Sequence, residues 1–288
     1  MGAVYKKELR SYFTNMIGCI VVAFMLLFIG IFSISLNFKN GYPNFEYSLS
    51  SLSFVLLFIV PVLTMRAVAD ERHQRTDTLL YSLPLSMTKI IMGKYFAMLT
   101  VFAVPTGVML LYPLIMSLYG KVSLLTTFSA IFAFFLLGAA LIAIGLFMSS
   151  LTESQVIAAV LSFGALLLCN LMSGLATMVP ATAIASFIAF TLLVVAAALL
   201  VYYMTKNYWL SFIIAAVLEL ILVIFYVSDP SSFNGLFATF MTWLSLFERF
   251  DNFVYSGIFD MTAVVYYISV SVVFVFLTVR VMDKRRWS

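Results

Sequence analysis

"LLTTFSAIFAFFLLGAALIAIGLFMSS", residues 124–150, contains no charged side chain. As a helix rising about 1.5 Å per residue it would be roughly 40 Å long, more than the hydrocarbon core of a bilayer, about 30 Å, requires. Solid apolar blocks of this kind recur on both sides of it. Hydrophobic residues make up 64% of the 288, charged residues only 10%, and the mean hydropathy is +1.12. A soluble domain needs about a quarter of its residues charged to cover its surface, so this chain cannot be one. Strands of a transmembrane barrel would alternate apolar with polar residues, and these blocks do not. The fold class that follows is all-α: a polytopic transmembrane helical bundle.

Working outward from residues 124–150, eight spans emerge, at about 15–38, 49–68, 90–118, 124–150, 154–175, 181–204, 209–226 and 261–282. Only "TKN" divides the sixth from the seventh, so a re-entrant element over 181–228 is the alternative there. The distribution of Lys and Arg sets the orientation. With the N-terminus cytoplasmic, the inner side holds Lys6, Lys7, Arg10, Arg66, Arg72, Arg75, Lys89, Lys94, Lys206, Arg280, Lys284, Arg285 and Arg286, and the outer side only Lys39, Lys121 and Arg249. Both termini are therefore expected inside, at the bacterial cytoplasmic membrane. Residues 1–288 read as one membrane domain, with a cytoplasmic loop at 69–89 and an extracytoplasmic amphipathic segment at 229–260.

Several function classes fall away. There is no GxxxxGK[ST] loop, since Gly93-Lys94 lacks its flanking residues, and no HExxH. A single histidine, His73, in a charged loop supports neither a metal site nor a catalytic arrangement. Cys19 and Cys169 lie in apolar runs without metal-type spacing and read as packed thiols. No enzyme activity, metal or bound cofactor is expected of the chain, and its net charge of +4 is no sign of a nucleic-acid partner. The first apolar run is too long for a signal-peptide core and reads as a retained helix; Lys6 stands where a myristoylation signal needs Ser or Thr.

Within the spans, Glu219 and Asn170 are the polar groups that call for explanation. A carboxylate at mid-span costs a few kcal/mol unless it is paired, solvated or protonated. Glu219 reads as either a substrate or proton contact or a hydrogen-bonded residue of a helix interface; Asn170 reads as a bond between helices, with a substrate or proton contact as its alternative. Pro61, Pro105 and Pro113 each remove a backbone donor inside a span and suggest kinks. The small residues of "LGAALIAIG" (137–145) favour close helix contact. In "SSLTESQV" (149–156), Thr152 and Gln155 have capping-box spacing, which would put Glu153 and Ser154 in the first turn of the fifth span. "LSLFERFDNFVYSGIFD" (244–260) places Phe247, Phe250, Val254 and Ile258 on one helical face, suited to a membrane surface or to a cap over the bundle, and Asp260 is a natural N-cap for the last span.

The polar stretch "TMRAVADERHQRTDTLLYSLPLSMTKIIMGKYF" (64–96) gathers charge that the rest of the chain lacks. It divides at Pro84. Before it, Leu79, Leu80 and Leu83 fall on one side of a short helix; after it, Ser86 can cap a helix running through Lys89 and Lys94. Such a helix fits either the groove of a soluble partner or the inner leaflet.

At these residues the chain resembles the type-2 ABC transporter permeases, most closely the gliding-motility-type subgroup. The matching stretches are "PVLTMRAVADERHQRTDTLLYSLPLSMTKIIMGKYFA", "LGAALIAIGLFMSSLTESQVIAAVLSF" and "LFERFDNFVYSGIFDMTAVVYYISVSVVFVFLTVRVMDKRRW". Arg75 stands where many members have Gly. The resemblance implies that 69–89 carries a coupling helix between spans two and three, docking on a separate cytosolic ATPase that holds ATP and Mg. By carry-over Glu71, Arg72, Thr76, Asp77, Leu79, Leu80 and Leu83 are its contact residues. It also implies a dimer with a second permease half, identical or not, and a role as permease subunit of an exporter whose cargo does not carry over. The family core has six spans, so 181–228 would be an added pair. Two other readings stay open: an ion-coupled secondary transporter using Glu219, and a non-transporting membrane anchor for an ATPase.

Overall fold

The computed structural model describes residues 1–74, 86–118, 120–257 and 259–286. Its elements in chain order are α1 (Gly2–Thr14), α2 (Ile17–Phe32) continued by a π-helical stretch (Ser33–Phe38), α3 (Glu46–Thr64), α4 (Ala69–His73), α5 (Met87–Met109), α6 (Leu111–Ser117), α7 (Leu124–Leu151), α8 (Gln155–Met178), α9 (Ala183–Thr205), α10 (Tyr208–Ser228), a 3₁₀ turn (Pro230–Phe233), α11 (Leu236–Leu244), α12 (Leu246–Ser256) and α13 (Met261–Arg286). No strand occurs among the described residues. Among the described residues seven helices are long and apolar enough to cross a membrane, and Ala183–Leu199 is a shorter apolar one. The chain is an all-α polytopic bundle, with helices at each of the eight expected spans. "TKN" does separate two of them: Lys206 takes a left-handed conformation (φ 50°) that ends α9, and Asn207 Oδ1 accepts from Trp209 N–H at the start of α10.

The chain sorts into two compact units, residues 1–168 with 249–288, and residues 169–248. In the first, α7 is the central helix, packed against α3, α5 and α13. Its residues 137–146 are all buried. A Cβ at Gly138 would collide with the Phe102 ring of α5, and one at Gly145 with Thr64 of α3. The small residues of "LGAALIAIG" thus let neighbouring helices approach closely, as dispersion-driven packing in lipid requires. The helix passes through Pro61 in α3 and Pro105 in α5. Pro113 acts differently: α5 ends at Met109, whose carbonyl is the one left without a donor by the proline four residues on.

Before the first span lies a helix that composition did not reveal. α1 is amphipathic and packs along α5, with Val4 against Gly93, where a Cβ would meet Val4 Cβ at 3.2 Å. The Tyr12 hydroxyl donates to Leu63 O (3.2 Å), and the Tyr5 hydroxyl pairs with Thr100 Oγ1 (2.9 Å). Met16, at φ 60°, turns the chain from α1 into α2.

In the second unit, α9 and α10 form a hairpin with the 3₁₀ turn and α11 against α9. Phe187, Tyr226 and Phe233 cluster their rings at one end, and Ser211 Oγ donates to Ala198 O (2.5 Å).

Candidate functional site

The charged stretch begins where α3 runs out. Thr64, with its hydroxyl bonded back to Val60 O, closes the helix, and the chain turns through Met65–Val68 into α4. Ser149, near the end of α7, holds this corner. Its oxygen accepts from Val68 N–H and Ala69 N–H (3.2 Å each) while its hydroxyl donates to Met65 O (3.2 Å). Two backbone donors exposed at the start of α4 are thereby satisfied.

Two side chains of α4 extend in different directions. Arg72 is 7% exposed; its Nη1 donates to Ser150 O (2.9 Å) and Thr152 O (3.4 Å), the terminal carbonyls of α7. A cation at a helix C-terminus is favoured by both the orphan carbonyls and the helix dipole. Glu71 meets Lys94 of α5, with Oε1 2.8 Å from Nζ. Glu8 of α1 reaches the same Nζ at 3.1 Å, and Lys7 lies 3.7 Å from Glu71 and 3.8 Å from Glu8. Lys94 is only 4% exposed, so two carboxylates face one buried ammonium. Next to them burial, and secondarily Glu8 and Glu71, push the Tyr12 phenol far above its usual range, keeping it a donor to Leu63 O.

A third tie comes from α8. Arg66 Nε donates to Gln155 Oε1 (3.0 Å), and Gln155 Nε2 donates to Asp70 Oδ1 (2.6 Å), which also accepts from Gln74 Nε2 (3.0 Å). This revises the capping-box reading of Thr152 and Gln155. α8 begins at Gln155 itself, and Thr152 Oγ1 accepts from Ser154 N–H (3.2 Å) in the turn before it. Gln155 is the first residue of the helix, and its side chain serves the neighbouring corner. Arg285, from the end of α13, adds a bond to Leu151 O (3.2 Å). The start of the polar loop is thus fastened to α1, α5, α7 and α8.

Of the seven residues expected to contact a partner, Glu71 and Arg72 are the two that fall within the described residues, and both are turned into these ties. Thr76, Asp77, Leu79, Leu80 and Leu83, with Pro84, lie outside the described residues. Ser86 occupies the N-cap position of α5 in extended conformation, its carbonyl accepting from Lys89 and Ile90 N–H; its hydroxyl makes no capping bond. Asp260 caps α13 as its position suggests: Oδ1 accepts from Thr262 N–H (2.8 Å) and from the Thr262 hydroxyl. The face of α12 expected to be apolar is buried at Phe247, Phe250 and Val254; Ile258 lies outside the described residues.

Glu219 sits half-buried on α10 and accepts from Thr191 Oγ1 of α9 at 2.9 Å. Asn170 is half-buried on α8. Sequence reading missed the polar groups at the far end of α3. Glu46, 7% exposed, accepts from Thr127 Oγ1 (2.7 Å) and Thr126 Oγ1 (3.2 Å) of α7. Ser50 Oγ donates to Asp251 Oδ1 of α12 (2.5 Å), whose carboxyl burial pushes above its usual range. Among the described residues no group of three or more His, Cys, Asp or Glu is placed to hold a metal.

Compared with known proteins, residues 2–187 match the model of a family described as an ABC-2 family transporter protein. The matched region runs from α1 into α9 and includes the ties of Arg66, Asp70, Glu71 and Arg72 to α1, α5, α7 and α8. No curated protein matches the chain.

Proposed function

The chain belongs to the ABC-2 family of transporter proteins, and on that premise we propose that it is the membrane-spanning permease subunit of an exporter worked by a separate cytosolic ATPase. The observation that carries this reading is the fastening of the 69–89 loop where it leaves α3. Arg72 joins it to the end of α7, and Glu71 joins it to Lys94 of α5, which in turn holds Glu8 of α1. A force applied to that loop would reach three helices through short, buried bonds rather than through a slack connection. In this reading Glu71 and Arg72 set the position of the loop. Thr76, Asp77, Leu79, Leu80 and Leu83 touch the ATPase, which supplies ATP and Mg. The chain pairs with a second permease half in the bacterial cytoplasmic membrane, both termini inside, and falls in the gliding-motility-type subgroup.

The test is to co-purify the chain with a cytosolic ABC ATPase sought among the products of neighbouring genes and to change Leu79, Leu80 and Leu83 to Asp. Loss of association with the fold retained supports the docking role; unchanged association and transport refute it. The hydrogen bond from Thr191 favours a bonding role between helices for Glu219. An ion-coupled mechanism would instead show as ATPase-free transport by vesicles that Glu219→Gln abolishes.

A further inference from the structure

At the end of α3 opposite Lys94, the π-helical stretch Ser33–Phe38 borders two adjoining cavities. One, of about 410 Å³, is lined by Tyr42, Tyr47, Tyr255, Asn44 and Ser51 among others. The second, of about 200 Å³, is lined by Phe38, Pro43, Met116 and Val122 together with two glycines. Asn37 and Tyr42 border both, so the cavities are two lobes of one cleft, the first aromatic and polar, the second mainly apolar. The larger lobe alone falls in the range of about 300–1,000 Å³ typical of small-molecule sites.

The cleft is built rather than incidental. Stretches of π-helix are rare and concentrate at functional sites. Here the stretch turns Asn37 inward, 4% exposed, where its side chain pins the following loop: Nδ2 donates to Tyr42 O and Asn44 O (2.9 Å each), and Oδ1 accepts from Ser48 Oγ (2.6 Å). The backbone carrying Tyr42 and Asn44 is therefore fixed before any ligand arrives. Tyr47 and Tyr255 bring their rings to 5.8 Å, tilted, with 38% and 67% of each residue exposed. The Ser50 hydroxyl is already committed to Asp251. Among the described residues no charged side chain lines either lobe.

These features specify a ligand chemistry. Without a lining charge, the cleft has nothing to offer a phosphate group beyond ordinary dipoles. Tyrosine faces carry negative π-density that attracts the weakly positive C–H face of a sugar ring, and their hydroxyls, with the Asn44 amide, bond its ring hydroxyls. The apolar lobe next to it suits a short stretch of hydrocarbon. We propose that this cleft binds an uncharged glycosyl amphiphile, the sugar against Tyr47 and Tyr255 and the start of the aliphatic chain against Phe38, Met116 and Val122. The assignment does not depend on the ATPase reading.

The test uses the full chain in phosphatidylcholine nanodiscs, with saturation-transfer NMR on three probes below their micellar concentrations: octyl glucoside, methyl glucoside and octyl phosphocholine. Saturable binding of octyl glucoside is expected, at least tenfold tighter than that of the other two. The double variant Tyr47→Ala/Tyr255→Ala should weaken it at least tenfold while leaving the thermal unfolding midpoint near that of the parent, because Tyr255 is largely and Tyr47 partly exposed. Equal signals from octyl phosphocholine would mean unspecific partition or capture of the choline ammonium by the rings, and either would overturn the proposal. Methyl glucoside binding as tightly as octyl glucoside would remove the apolar lobe from it. Unchanged affinity in the double variant, or in Tyr255→Ala alone should the double variant unfold, would also refute it.

Discussion

Lys94 Nζ lies 2.8 Å from Glu71 Oε1 although the two residues belong to different helices and only 4% of the lysine is exposed. With Glu8 at 3.1 Å on its other side, the ammonium is the buried counter-charge to two carboxylates, which the exposed Lys7 meets only at 3.7 and 3.8 Å. Removing one partner of a buried ion pair typically costs about 3–5 kcal/mol, because the remaining charge is left uncompensated. Lys94→Met should therefore lower the thermal unfolding midpoint in detergent clearly, and more than Glu71→Gln does. Lys94→Met/Glu71→Gln should recover part of the loss, with Glu8 the one carboxylate left at the junction. Equal midpoints for the Lys94→Met chain and its parent would show that the pair carries no net stability.

Arg72 separates positioning from contact. Its bond to Ser150 O is charge-assisted, worth about 1.5–3 kcal/mol. With Arg72→Ala we expect the proposed ATPase partner to co-purify as before while transport per ATP hydrolysed falls severalfold. A lysine at that position should restore little, since one ammonium cannot reproduce the guanidinium's planar set of donors. Loss of co-purification would instead place Arg72 in the docking surface itself.

Gly138 tests the packing of α7. A methyl group there would collide with the Phe102 ring, so Gly138→Ala should destabilise by about 1–3 kcal/mol, the usual cost of overpacking. Phe102→Leu in the same chain should relieve much of it, measured as a higher unfolding midpoint for the double variant than for Gly138→Ala alone.

Asp260 gives a pH dependence with a definite sign. The Thr262 hydroxyl and the backbone N–H groups it accepts from hold its carboxyl below the usual range. A depressed folded-state value means that the cap's contribution is complete above the unfolded value, about 3.9, and is lost as pH falls through the lower folded one. Asp260→Ala should therefore cost about 1 kcal/mol at pH 7 and progressively less as pH falls below about 3.9. The N-terminal end of α13 can be followed by amide exchange at Thr262 and Ala263; a cost independent of pH would count against the cap.

The spans were legible because lipid imposes a composition that survives without any knowledge of neighbours. Asp260 was legible for a similar reason, since capping is decided within four residues. The charged corner was only half legible. The sequence shows that Glu71, Arg72 and Lys94 lie in one polar stretch, but nothing local says that Glu8, 86 residues from Lys94, completes the site. α1 was missed because its thirteen residues are neither apolar enough for a span nor marked by a cap. The signal that could have found it is the spacing of Val4, Tyr5, Glu8 and Tyr12 on one helical face. Thr152 and Gln155 show the opposite error: the spacing was right, but tertiary partners took the glutamine that local rules had assigned to a cap.

The quartet of Lys7, Glu8, Glu71 and Lys94 sums to zero charge, so α1 can lie against the bundle without importing a net ion into a low-dielectric setting. Its two lysines differ in kind. Lys7 is 67% exposed and answers to the electrolyte, whose screening length is about 8 Å at physiological strength; Lys94, at 4%, does not. The junction is a clasp with one detachable prong and one permanent one. Changes in the ionic medium can loosen the outer grip of α1 while the inner grip keeps the helix in register.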